Sequence, residues 1–101
     1  MTNDLVLTEA AGQVTVPAAT MAAIVVAAAE RADGARVRRP RRSLDVDVTG
    51  RRATVALQLA ARFGVVLPQL AETVQREVAE ALERMCELEV ERVDVAIEEL
   101  V

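Results

Sequence analysis

LDVDVTGRRATVALQLA, residues 44–60, alternates apolar and polar side chains on both sides of a Thr49-Gly50 step. Leu44, Val46 and Val48 interleave with Asp45 and Asp47, and Ala53, Val55, Leu57 and Leu59 interleave with Thr54, Ala56 and Gln58. Successive strand side chains project to opposite faces, so this alternation means two strands with one dry side each. A two-residue loop at Thr49-Gly50 makes them a hairpin. It predicts Leu44 opposite Val55, Val46 opposite Ala53 and Asp47 opposite Arg52. In that register apolar meets apolar and acid meets base, with Leu44, Val46, Val55 and Leu57 facing inward.

Helical patterns flank the hairpin. Upstream, Gln13–Val16 is a β-branched strand candidate, and Pro17 suits the first turn of a helix, where its missing N–H costs nothing. That helix runs through AATMAAIVVAAAERA (18–32) to a stop at Asp33-Gly34. Downstream, Phe63-Gly64 ends the hairpin and Pro68 opens a second helix. Leu70, Val74, Val78, Leu82 and Met85 recur on it at helical spacing, as an inward stripe. Glu72–Arg76 and Glu80–Arg84 stand four apart on its wet side, each worth about 0.3 kcal/mol. Val93, Val95 and Ile97 give a last alternating strand. The expected fold is α+β: one two-layer domain in β-α-β-β-α-β order, with two helices on one face of a small mixed or antiparallel sheet. Residues 1–11 are expected to be a flexible N-terminal segment and residues 12–101 the domain.

The core of this 101-residue chain must be aliphatic, since Phe63 is its sole aromatic. The net charge of −4 is unevenly spread. Residues 1–30 carry −3, residues 31–62 carry nine Arg against three Asp for +6, and residues 63–101 carry three Arg against ten acids for −7. A basic middle and an acidic end favour contacts between copies as readily as contacts with an external polyanion. The lone Cys86 has no disulfide partner, which fits a reducing cytoplasm. MTNDLVLTEA has no secretory pattern, and the apolar window 16–29 falls short of the roughly 20 residues of a membrane span.

Little catalytic chemistry is available. The chain has no His, Lys, Tyr or Trp and a single Ser43, and its four glycines form no phosphate loop. Cys86 reads as a small buried hydrophobe, because a reactive thiol needs an electropositive setting. Asp45 and Asp47 share a strand face, but two carboxylates make a poor Ca²⁺ or Mg²⁺ site, and pairing with Arg52 suits them better. An enzyme is not expected, nor a metal site, nor a cofactor.

Two features suggest contact surfaces. GARVRRPRRS (34–43) places Arg36, Arg38, Arg39, Arg41 and Arg42 around Pro40. Specific single-strand recognition adds stacking aromatics, which this run lacks. A solvated or protein-contacting turn is favoured, an anionic membrane surface is possible, and nucleic acid is the weakest partner. The first helix, in turn, carries no charge from Pro17 to Ala29. Met21, Ile24, Val25 and Ala28 suffice to cover the sheet, leaving Ala18, Ala22, Val26 and Ala29 for a second helix from another copy or a partner.

Four stretches, GQVTVPAATMAAIVVAAAERADGARV, the LDVDV and ATVALQLAARFG strands, and VLPQLAETVQREVAEALERMCELEVERVDVAI, resemble the alkaline shock protein family of small bacterial envelope-stress proteins. The resemblance covers about residues 12–97. Glu87 stands where a glycine is usual just after the second helix, and the long charged tails common in the family are missing. The resemblance implies a non-catalytic cytoplasmic protein that forms homo-oligomers and is held near the membrane by a membrane-anchored partner. A small nucleic-acid-binding module using Arg36–Arg42 is the alternative, weakened by the lack of a GXXG loop.

Overall fold

In the computed structural model, which describes residues 3–101, the hairpin lies at the centre of the architecture. Strands β1 (Leu5–Glu9) and β2 (Gly12–Val16) come first, followed by α1 (Ala18–Ala29) and β3 (Ala35–Arg36). Next are the one-turn helix α2 (Pro40–Ser43), β4 (Leu44–Thr49) and β5 (Arg52–Ala61), and finally α3 (Leu67–Cys86) and β6 (Glu89–Leu100). Strand β5 pairs antiparallel with β4 and, beyond its end, with β3. Its other edge takes β6 in parallel, so the sheet is mixed and the fold is α+β.

The loop of the hairpin is Gly50-Arg51, one residue later than expected. Thr49 faces Arg52, Val46 faces Val55 and Leu44 faces Leu57, while Asp47 faces Thr54 and not Arg52. Gly50 has φ +62 and takes the first loop position, where a two-residue hairpin can reserve the place for glycine. The expected register put that glycine second. The correction moves each partner by two residues, an even step, so the faces are as read. Leu44, Val46, Val48, Val55 and Leu57 are buried, and Asp45 and Asp47 are exposed on the bare side of the sheet. Arg52 turns to Glu89, at 3.9 Å.

The N-terminal region also departs from expectation. Residues 5–9 form a strand, not a flexible segment, and it pairs with Gly12–Val16 as a separate two-stranded sheet. Leu5 and Leu7 join the core, and hydrophobic burial of two leucines is what orders the segment. Asn3 lies along β4: its side-chain amide donates to the Val48 carbonyl at 2.8 Å, and its Oδ1 accepts from the Val48 N–H at 2.9 Å. Asp4 Oδ1 accepts from the Ala18 N–H at 2.8 Å, putting a carboxylate on the α1 N-terminus, whose dipole favours it.

The aliphatic core sits between the sheet and the two longer helices. On α3 the buried stripe is Leu70, Val74, Val78, Ala81, Leu82 and Cys86. Met85, expected on it, is 61% exposed, because the stripe closes at Cys86, four residues after Leu82. The pairs Glu72–Arg76 and Glu80–Arg84 do not close; Arg31 of the α1 turn reaches Glu77 instead, at 3.8 Å. In β6 an extra residue lies between the partners of Ala53 and Thr54, a bulge at Glu91. It resets the alternation so that Val90 and the series Val93, Val95, Ile97 all face the helices.

Candidate interaction surface

The first proposed surface is the outer side of α1. Of the residues assigned to it, Ala29 is fully buried, while Ala18, Ala22 and Val26 are half-buried. The side facing water consists of Ala19, Thr20, Ala23 and Ala27. Helix α1 packs against α3 as well as against β4, so its dry arc is wider than one covering the sheet alone. That second neighbour draws Ala29 inward.

The arginine run is held by its apolar residue. Val37 is buried, and its backbone N–H donates to a Glu30 carboxylate oxygen at 3.1 Å. Either side of it, Arg36 sits in β3 opposite Ala60, and Arg38 pairs with Glu99 at 3.1 Å. Pro40 then starts the single turn of α2, which carries Arg41 and Arg42 outward. All five arginines of the run are exposed, and Arg36, Arg39, Arg41 and Arg42 have no ion pair among the described residues. Beside them Arg38, Arg39, Ser43, Gln58, Glu98 and Glu99 line an open cleft of 430 Å³ on the bare side of the sheet.

Ionisable groups elsewhere play structural roles. Arg62 makes two 3.0 Å hydrogen bonds to the Asp33 carboxylate, which hold that carboxyl below its ordinary value and raise the guanidinium. Burial pushes the Cys86 thiol up, the direction opposite to activation. Among the described residues no group of three or more His, Cys, Asp or Glu could hold a metal ion.

Residues 35–101, two thirds of the chain, match a family model described by a cell envelope-related function. The chain belongs to the alkaline shock protein 23 family. The match begins at β3, so the N-terminal hairpin and α1 lie outside it, although the resemblance read from the sequence started near residue 12. No curated protein shows significant similarity. Solved structures show the same fold. MamM-CTD 215-293 superposes with a TM-score of 0.54 at 19% identity, covering 80% of this chain and 96% of that one. A cadmium form of the MamM CTD gives 0.54 at 20%, covering 80% and 94%. A zinc form gives 0.54 at 19%, covering 80% and 84%. This family member has no histidine, and among its described residues no helix is long and apolar enough to cross a membrane.

Sequence reasoning missed one surface. Phe63 is 78% exposed, Leu100 and Val101 at the adjoining end of β6 are each more than half exposed, and so is Val66, three residues further along the chain. The signal was present: the only aromatic of the chain stands next to a glycine, outside every apolar stripe.

Proposed function

We propose that this family member is a non-catalytic envelope-stress scaffold that self-associates and docks to a membrane-anchored partner on the cytoplasmic side. The observation that carries the reading is the separation of charge. Arg36, Arg39, Arg41 and Arg42 project from one side without acidic partners, while α3 shows Glu72, Glu80 and Glu83 to solvent. Charges left open within one copy find complements on the next, and the contact repeats head to tail. The outward alanines of α1 supply the apolar part of the interface, since small side chains let another backbone approach closely. Family membership supports the envelope setting.

Light scattering over a concentration series tests this. The mass should rise with concentration and fall with added salt, because exposed pairs are screened. Arg39→Glu with Arg41→Glu should dissociate the assembly, and adding Glu80→Arg with Glu83→Arg should restore it. On α1, Ala23→Glu with Ala27→Glu should also dissociate it with the fold intact. A charge buried without a partner costs several kcal/mol, against about 8 to 12 kcal/mol for micromolar to nanomolar binding. A strict monomer at low salt would overturn the reading.

A further inference from the structure

Where β5 and β6 finish together, the protein shows a surface unlike the rest. The Phe63 N–H donates to the Val101 main-chain oxygen at 2.8 Å, and the Val101 N–H donates to the Ala61 carbonyl at 2.9 Å. These bonds fix Phe63 beside the end of β6. Leu100 stands opposite Ala61, which is buried, yet Leu100 itself is 51% exposed. With Val101 it makes an apolar tip beside a Phe63 ring that water almost surrounds, and Val66, three residues along the chain from Phe63, adds a further exposed aliphatic side chain.

The arginine run borders this same end. Arg36 pairs with Ala60, Arg38 reaches Glu99, and α2 lies against β5, so the run is fastened within a few strand residues of Phe63. Of the nearby carboxylates, Glu99 and Asp33 are taken by Arg38 and Arg62, Glu30 accepts from the Val37 N–H, and Glu98 lines the cleft beside Arg39. Arg36, Arg39, Arg41 and Arg42, four exposed arginines without an ion pair among the described residues, therefore add a net basic apron to an apolar tip.

We propose that this end binds directly to an anionic lipid bilayer, Phe63 and its aliphatic neighbours entering the headgroup boundary and the arginines meeting lipid phosphates. A bilayer offers both halves of that chemistry, an acyl layer for the tip and negative charge just above it. A nucleic-acid backbone would use the arginines and leave Val66, Leu100 and Val101 wet. The acidic face of α3 on a second copy offers Phe63 only Met85, too small an apolar patch to cover the whole tip. The proposal rests on these residues alone and does not need the head-to-tail assembly.

Flotation of the full chain with vesicles tests it, using phosphatidylcholine alone and phosphatidylcholine mixed with phosphatidylglycerol. Binding is expected to the mixed vesicles at low salt, weakening as salt rises, and not to the neutral ones. Phe63→Ser should reduce it about tenfold, by removing the side chain that enters the boundary. Arg39→Gln, Arg41→Gln and Arg42→Gln together should reduce it about a hundredfold, each arginine acting near a charged surface. All these positions are exposed, so circular dichroism and the thermal midpoint should match the parent. Glu80→Arg with Glu83→Arg in the parent chain, which should break the proposed head-to-tail contact, should leave vesicle binding in place. Absence of binding to mixed vesicles at low salt would overturn the proposal, and so would binding that Phe63→Ser does not weaken. Retardation of RNA or DNA that needs the arginines and ignores Phe63, without vesicle binding, would assign the run to nucleic acid instead.

Discussion

Glu87 holds φ 54 and ψ 33, the left-handed conformation that ends α3, and it is the only residue other than glycine with positive φ among those described. Its N–H donates to the Glu83 carbonyl at 3.1 Å, so the cap is formed despite the side chain. A Cβ in this conformation costs about 1 kcal/mol or more. Glu87→Gly should relieve that strain, giving up only an exposed 3.8 Å pair with Arg51. We expect urea unfolding to shift toward greater stability by about 1 kcal/mol, partly offset by the freedom glycine gains when unfolded. This position was legible in the sequence, because Glu87 stood where a glycine was expected. The Asp33–Arg62 pair was not legible, since residues so far apart meet only after two turns are built. Its pH consequence has a definite sign. Asp33 is depressed in the folded state, so its contribution is present above the ordinary value of 3.8 and is lost as pH falls through the lower folded value. Asp33→Asn should flatten the acid limb of the stability curve, as read by thermal unfolding across that window.

At the scale of elements, the hairpin, both long helices and the last strand could be read because each obeys one period over many residues. The loop register could not. Thr49-Gly50 and Gly50-Arg51 both place apolar beside apolar, and only the backbone at Gly50 chooses between them. Strand β1 was missed for a different reason: LVLTE is short, and the burial of Leu5 and Leu7 depends on partners distant in sequence. Ala29 was placed on the outer face of α1 because a helix rich in alanine has almost no amphipathic signal, so packing against α3 decides what is buried. Asn3 ties the N-terminal segment to β4 through part-buried hydrogen bonds. Asn3→Ala leaves the Val48 N–H and carbonyl without those partners and should cost about 1 to 2 kcal/mol. Hydrogen exchange should locate the loss, with faster exchange at the Val48 amide and unchanged protection in β5.

Across the whole molecule, the basic middle and the acidic end of the sequence meet along β5 and β6, where exposed pairs such as Arg38–Glu99 and Arg52–Glu89 join them, while Arg36, Arg39, Arg41 and Arg42 keep no ion pair among the described residues. Charge totals could be summed in advance. The gathering of Phe63, Leu100 and Val101 at one end could not, because it requires the parallel placement of β6 beside β5. That placement also governs the order of assembly. Strand β5 pairs on one side with β4, its neighbour in the chain, but waits on the other for a strand that begins at Glu89, after the whole of α3. During synthesis the nascent sheet therefore carries an open edge until the crossover helix has been made and folded back. Non-local parallel pairing closes slowly, and an open edge invites pairing with a neighbouring chain. A protein expressed in bursts would carry many such half-built sheets at once, so its production burdens chaperones most in the interval before β6 emerges.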